Sequence, residues 1–317
     1  MKNSFSARII QWTGSLEQHF RLAILAIYCV ALLAFSNVFA NQFVMDDFAF
    51  IVDWPLIQDW KNFPQFFINY TPPPGQEGIY SPLKTVFHAI NYHLFGLNPL
   101  GYHIVSLAIH LASIWFVIHI TLRLTKIVPV ALMAGLLFTV HPVHVEAITY
   151  LTASIDSLGV LFLLISFYFY VRRSETEGRE QQRFYRWSIA FGFLAIFTHE
   201  LNISLPLLIV WFDFFFKKKE ETFALALKRS APFFLLVGVY VLAKYINLDL
   251  LTRGQYIYNS FYLTMLVIVK AWAKYVLICI WPNVLTHNHV ISPGIYSFAQ
   301  DDFDKFAVLS QSLYEPR

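Results

Sequence analysis

The sequence predicts an all-α polytopic membrane protein. Three observations carry that reading: an apolar composition, a series of hydrophobic runs near membrane-spanning length, and basic residues confined to alternate connectors between those runs. Of 317 residues, 57% are hydrophobic and 14% charged, whereas soluble domains carry about 25% charged residues, so the main solvent is lipid. Phe occurs 32 times, Tyr 17 and Trp 8, which suits helices packed in lipid with amphipathic rings at headgroup level. The formal net charge of +3 is too small to point to nucleic acid as a partner. Cys29 and Cys279 sit inside apolar runs and read as small buried hydrophobes.

A helical span takes about 20 mostly apolar residues. In chain order the runs are Phe20–Ala40, Leu100–Leu122, Val128–Val140, Leu158–Val171, Trp187–Thr198, Leu201–Phe216, Pro232–Leu248 and Tyr262–Trp281. The first is longer than a signal-peptide core and leads straight into more membrane sequence, so a retained signal anchor is expected. Lys2, Arg8, Arg21, Arg123, Lys126, Arg172, Arg173, Arg179, Arg183, Arg186, Lys217, Lys218, Lys219, Lys228 and Arg229 make 15 of the 23 Lys and Arg residues. All fall on one side if the first seven runs alternate, which predicts a cytoplasmic N-terminus. The expected organisation is a membrane domain over 1–300 with seven to nine helices, followed by a polar tail over 301–317.

The opposite, extracytoplasmic face then holds a first loop, 41–99, with Asp46, Asp47, Asp53, Asp59 and Glu77 against Lys61 and Lys84. Within it Pro82–Phe95 alternates apolar and polar positions at helical spacing, predicting a helix lying flat on the membrane. The run Tyr262–Trp281 contains Lys270 and Lys274, one turn apart. Lysines are costly in mid-bilayer, so this segment is expected along the outer interface or at a water-filled cavity.

Three clusters on that face bear chemistry. Asp46-Asp47 follows the first span: adjacent carboxylates at a hydrophobic rim have one pKa pushed up, as a general base near neutral pH requires, and the plainer reading is a solvated acidic cap. His141-Pro-Val-His144-Val-Glu146 places two imidazoles and a carboxylate within six residues. That suits zinc, an anion, or histidines bonding loop carbonyls, although the proline interrupts the helix a metal-binding pair prefers. His199-Glu200 is no zincin motif, because residue 203 is Ile203 where a second histidine is needed. Late in the chain, Arg253, Lys270 and Lys274 with His287 and His289 form a cationic group suited to a phosphate arriving from the lipid leaflet.

With these residues in place, the chain resembles the membrane domain of the C-type glycosyltransferases, in particular the transmembrane and tetratricopeptide-repeat family of O-mannosyltransferases and its prokaryotic relatives. The likeness runs from about Phe20 to Pro293. Phe43-Val-Met-Asp-Asp-Phe followed by Val52-Asp-Trp-Pro resembles the family's paired-Asp first loop. Tyr80-Ser-Pro-Leu resembles its Tyr-Arg-Pro-Leu, and Asn98-Pro-Leu-Gly-Tyr-His resembles the start of its second span. The most specific match is His141-Pro-Val-His-Val-Glu-Ala, which differs from the family's His-Pro-Val-His-Thr-Glu-Ala at one position. Ser154-Ile-Asp156 falls at its Gly-Arg-Ala-Asp/Glu step, His199-Glu200 at its Lys-Glu, and Lys274 to Trp281 with Leu285-Thr-His at its late basic helix and loop.

The resemblance implies an inverting transfer of a sugar from a polyprenyl-phosphate carrier to an acceptor on the extracytoplasmic side, with protein Ser/Thr as a candidate acceptor. One carboxylate of Asp46/Asp47 would be the base on the acceptor hydroxyl. Lys270, Lys274, Arg253 and His289 would face the donor phosphate. His141, His144, Glu146, Glu200 and His287 would shape the cavity or position the acceptor. A divalent metal is left open, and the implied partners are the lipid-linked donor, membrane lipid and a protein acceptor. Where relatives carry Arg, this chain has Ser81 and Ser154. That departure, with residues 297–317 too polar to span, frames the alternative: a truncated or repurposed C-type chain acting as a scaffold subunit of a larger membrane complex.

Overall fold

The computed structural model describes residues 2–73, 76, 78–216, 223–248 and 260–282, and of residues 2–16 and 223 the backbone alone. The chain is an all-α polytopic membrane protein, with no strand among the described residues. Its helices are α1 (Lys2–Ala34), α2 (Pro82–Phe95), α3 (Pro99–Thr125), α4 (Val128–Val140), α5 (His144–Thr149), α6 (Leu151–Ser174), α7 (Gly178–Thr198), α8 (Leu205–Phe216), α9 (Phe223–Leu248) and α10 (Phe261–Ile280). Five of them are long and apolar enough to cross a membrane: the Glu17–Ala34 part of α1, α3, α6, most of α9, and α10. α4 is apolar but shorter. The chain forms two compact units, Met1–Leu251 and Thr252–Arg317, and α10 is the described helix of the second.

Local chemistry sets the helix ends. α3 begins on Asn98, whose side chain accepts a hydrogen bond from the Leu100 N–H, with Pro99 in the first turn. An Asn cap followed by Pro satisfies one orphan amide and removes another. α3 ends on Lys126 at φ +59°, a left-handed residue whose N–H reaches the Leu122 carbonyl. α2 also starts on Pro82 and stops at Gly96, φ +57°, a backbone that glycine adopts without a Cβ penalty. α10 is capped by the Ser260 hydroxyl, which accepts from the Leu263 N–H.

In the first unit α6 packs most extensively on α7 and α3, α4 on α3 and α1, and α8 on α9. Three apolar clusters hold these helices. Ile27, Ala31, Ile114, Ile118 and Ala131 join α1, α3 and α4. Ile120, Phe167, Tyr170, Ile209, Phe212 and Phe233 join α3, α6, α8 and α9. The largest lies in the first loop: Phe50, Ile51, Trp54, Ile57, Phe66, Tyr70 and Tyr80 bury against Tyr102, Leu151, Phe197 and Tyr240. The loop is therefore a packed cap built of short 3-10 and π turns. α9 secures it, since the Tyr240 hydroxyl donates to the Tyr80 carbonyl at 2.8 Å and Asn247 accepts from the Tyr70 N–H at 3.1 Å.

The helix expected over Pro82–Phe95 forms with those bounds, and its burial is inverted relative to a soluble helix. It buries Lys84, Thr85, His88 and Asn91 and turns Leu94 outward. Lipid is the external solvent, so polar groups gather inside where partners exist. The same physics corrects the reading of the cysteines. Cys29 and Cys279 face outward from their helices, because a thiol needs no protein shell when its surroundings are hydrocarbon.

Candidate active site

Asp46 and Asp47 sit six and seven residues beyond the 3-10 turn Ser36–Ala40 that follows α1, in a bend formed by Met45 at φ +50°. This bend sends the two carboxylates in different directions: Asp47 is fully buried and Asp46 is exposed. One Asp47 oxygen accepts from the Thr152 N–H at 2.8 Å and from the Thr152 hydroxyl at 2.7 Å, and the other accepts from the Val44 N–H at 3.0 Å. Thr152 lies in the first turn of α6, where backbone amides have no intrahelical acceptor. Asp47 thus caps that helix from a distant part of the chain. Burial pushes its carboxyl above the usual range, against the Thr152 and Val44 hydrogen bonds and nearby His103, which pull it down.

Asp46 is tied to the residue just before α6. Its N–H donates to the Tyr150 hydroxyl at 3.1 Å, and that hydroxyl also bonds to the Asp46 side chain. Burial, then the Asp46 carboxylate, raise the Tyr150 phenol, so it stays a neutral donor. His103 is fully buried beside Asp47 and the Asn41 backbone, and neither of its ring nitrogens makes a well-formed hydrogen bond among the described residues.

One turn further along α6 stands Asp156. Its Oδ1 accepts from the Lys84 ammonium at 2.7 Å and lies 3.6 Å from His199 Nε2. The Lys84 ammonium also sits 4.8 Å from the centroid of the Phe50 ring. Next along the chain, Glu200 accepts from Lys244 at 2.8 Å. Both lysines are buried while their carboxylate partners stay partly open. The result is a polar seam across the first unit, from Asp46 and Asp47 through Thr152 and Asp156 to Lys84, His199, Glu200 and Lys244.

His141 and His144 approach each other with ring centroids 6.1 Å apart, and His144 packs on Phe138 at 4.3 Å and on His110 at 5.8 Å. His141 Nδ1 accepts from the Val143 N–H at 3.2 Å, so this ring does bond its own loop backbone. Burial, then the neighbouring His110 and His141, push His144 down to about 4, and it is neutral at physiological pH. Glu146 is exposed. Among the described residues no three His, Cys, Asp or Glu side chains are grouped to hold a metal ion.

Lys270 and Lys274 lie one turn apart on α10, in the second unit. Arg253, His287 and His289 lie outside the described residues. Sequence reasoning passed over Tyr150, Thr152, Lys84 and His199 as site residues. The signal for Lys84 was available: it shares one helical face with His88 in the loop helix, and a cation on a buried face calls for a partner.

The comparisons with known proteins follow this geometry. No protein-family model matches the chain. It is 31% identical over 214 residues to "Protein O-mannosyl-transferase TMTC4" of Homo sapiens, covering 60% of this chain and 29% of that protein. It is 31% identical over 121 residues to "Protein O-mannosyl-transferase TMTC2" of Mus musculus, covering 38% of this chain and 14% of that protein. A third relative, "Protein O-mannosyl-transferase Tmtc1" of Drosophila melanogaster, is 34% identical over 98 residues. The chain is a relative of the TMTC family. It spans about three-tenths of the length of the TMTC4 proteins it matches. The resemblance read from the paired aspartates and the His141-Pro-Val-His motif therefore points to the same family as these TMTC matches.

Proposed function

We propose that the chain is a glycosyltransferase that moves a sugar, mannose by analogy with the names of its TMTC relatives, from a polyprenyl-phosphate carrier to a protein Ser/Thr hydroxyl. The reaction takes place on the extracytoplasmic face, with the N-terminus in the cytoplasm. The observation that carries the reading is the division of labour between two neighbouring carboxylates: Asp46 is open and bonded to Tyr150, and Asp47 is buried and bonded to Thr152. An exposed acid on a rigidly capped bend is suited to meet an incoming hydroxyl, and a buried one is suited to hold that bend.

In this reading Asp46 takes the proton of the acceptor hydroxyl as its oxygen attacks the anomeric carbon. The new C–O bond forms as the bond from that carbon to the phosphate oxygen breaks, and polyprenyl phosphate leaves with the electron pair. Attack and departure on opposite sides of the sugar invert the centre. Cations neutralise the leaving phosphate. His141, His144, Glu146 and Glu200 are assigned to the acceptor side.

The test is transfer of label from polyprenyl-phosphate mannose to membrane protein acceptors by the unaltered chain, Asp46→Asn and Asp47→Asn. Loss of a general base is expected to slow transfer by about 10²–10⁴-fold in Asp46→Asn. Asp47→Asn is expected to lose part of the rate together with thermal stability. Equal label from all three overturns the proposal.

A further inference from the structure

We propose that Lys84 is a binding group for the donor's phosphate, held in place by Asp156 and His199. This rests on the transferase reading for the identity of the anion, and it deepens that reading by naming a residue that the sequence motifs do not indicate.

The argument begins with where positive charge lies in the first unit. Most of its Lys and Arg residues belong to the basic connectors after α3, α6 and α8. At the end that carries Asp46 and Asp47, the described cations are Lys61, Lys84 and Lys244. Lys61 is exposed on the loop surface, and Lys244 is engaged by Glu200 further along the seam. Lys84 is linked to the aspartates through α6. Asp47 is bound to Thr152, Lys84 to Asp156, and these two residues of α6 are four positions apart on one helical face. Four residues of helix rise about 6 Å.

An ammonium has three donors, and Asp156 is the one hydrogen-bond acceptor on Lys84 among the described residues. Its Nζ stands 4.8 Å from the Phe50 ring centroid, a face that draws the cation without accepting a full hydrogen bond, so donor capacity remains for a phosphate oxygen. A carboxylate that fixes a lysine does not prevent it from binding phosphate: in protein kinases one lysine meets a glutamate and the nucleotide phosphates together. Lys84 is buried to 5% exposure, so an unpaired ammonium there is costly, and Asp156 keeps it charged and aimed before donor arrives. His88, one turn on from Lys84, is fully buried with both ring nitrogens lacking partners among the described residues. A buried polar group without a protein partner is one whose bonding a bound ligand or water completes.

The experiment uses the full chain in lipid nanodiscs and compares binding of polyprenyl phosphate with binding of polyprenol. The unaltered chain and Lys61→Gln are expected to prefer the phosphate. Lys84→Gln is expected to lose about tenfold or more of that preference, and Lys84→Arg to keep most of it. Lys84→Gln combined with Asp156→Asn removes the orphaned carboxylate and decides the matter if the single variant does not fold. A readout on the bound lipid stands beside these: the phosphorus NMR shift of polyprenyl phosphate bound to the unaltered chain must differ from its shift with Lys84→Arg. An unchanged preference in the folded Lys84 variants, or the same phosphorus shift with both chains, overturns the inference. A chain that prefers the phosphate through Lys84 but transfers no label overturns the transferase reading and leaves this site standing.

Discussion

Thr152 binds Asp47 twice, through its backbone N–H at 2.8 Å and its hydroxyl at 2.7 Å, across 105 residues of chain. This pair fastens the start of α6 to the bend after the first transmembrane segment, and so fixes where Asp46 points. Thr152→Val keeps the shape and the amide bond and removes the hydroxyl. It is expected to cost about 1–3 kcal/mol, read as a lower melting temperature in detergent, because the buried carboxylate loses a donor. Asp47 is already raised by burial, and losing Thr152's hydrogen bond raises it further. A raised carboxyl makes the folded state bind more protons than the unfolded one, so stability falls as pH climbs from the ordinary Asp range through the folded value. In Thr152→Val that fall must extend to higher pH than in the unaltered chain.

Gly159 lets the second half of the seam close. A Cβ there would lie 2.6 Å from Asn202 Nδ2 and 3.3 Å from the Cβ of His199. Asn202 Nδ2 is itself engaged with the Ala195 carbonyl at 2.9 Å. Gly159→Ala is expected to destabilise by about 1–3 kcal/mol through overpacking. It also displaces His199 from Asp156, so donor binding should weaken along with stability, and thermal melting and polyprenyl-phosphate binding measure the two effects.

At the other end of α6, Glu175 joins Arg123 and Lys126 at the end of α3, with the Lys126 contact at 2.7 Å. Burial alone would raise Glu175, but Lys126 and Arg123 outweigh it and hold the carboxyl below its usual range. The stabilisation is present above the ordinary Glu value and is lost as pH falls through the folded one. Partial exposure limits it, and Glu175→Gln is expected to cost about 1 kcal/mol at neutral pH. Urea melts at descending pH should bring the two chains together once Glu175 is protonated.

His144 supplies a second acid-sensitive element with a different window. It is pushed down to about 4 by burial and by two neighbouring imidazoles, so the unfolded chain takes up a proton that the folded chain refuses. Stability is complete above the ordinary His value of about 6.5 and declines as pH falls toward the folded value. His144→Phe keeps a ring against Phe138 and removes the titration. Its melting temperature should change less than that of the unaltered chain between about pH 7 and pH 5.

The amino-acid sequence by itself determined that this is a helical membrane protein, where its long apolar helices and the α2 amphipath run, and which family it resembles. Those features are local: composition sets the solvent, periodicity sets the helix, and Pro, Asn and Gly set its ends. The aspartate pair and the His141 motif were legible for the same reason, as contiguous residues. What only the tertiary structure decided is how the pair divides, with Asp47 buried under Thr152 and Asp46 left open beside Tyr150. It likewise decided that Lys84, Asp156 and His199 meet, though they lie on three separate elements. Such contacts depend on how helices far apart in the chain are brought side by side, and residue spacing along the chain carries no record of that.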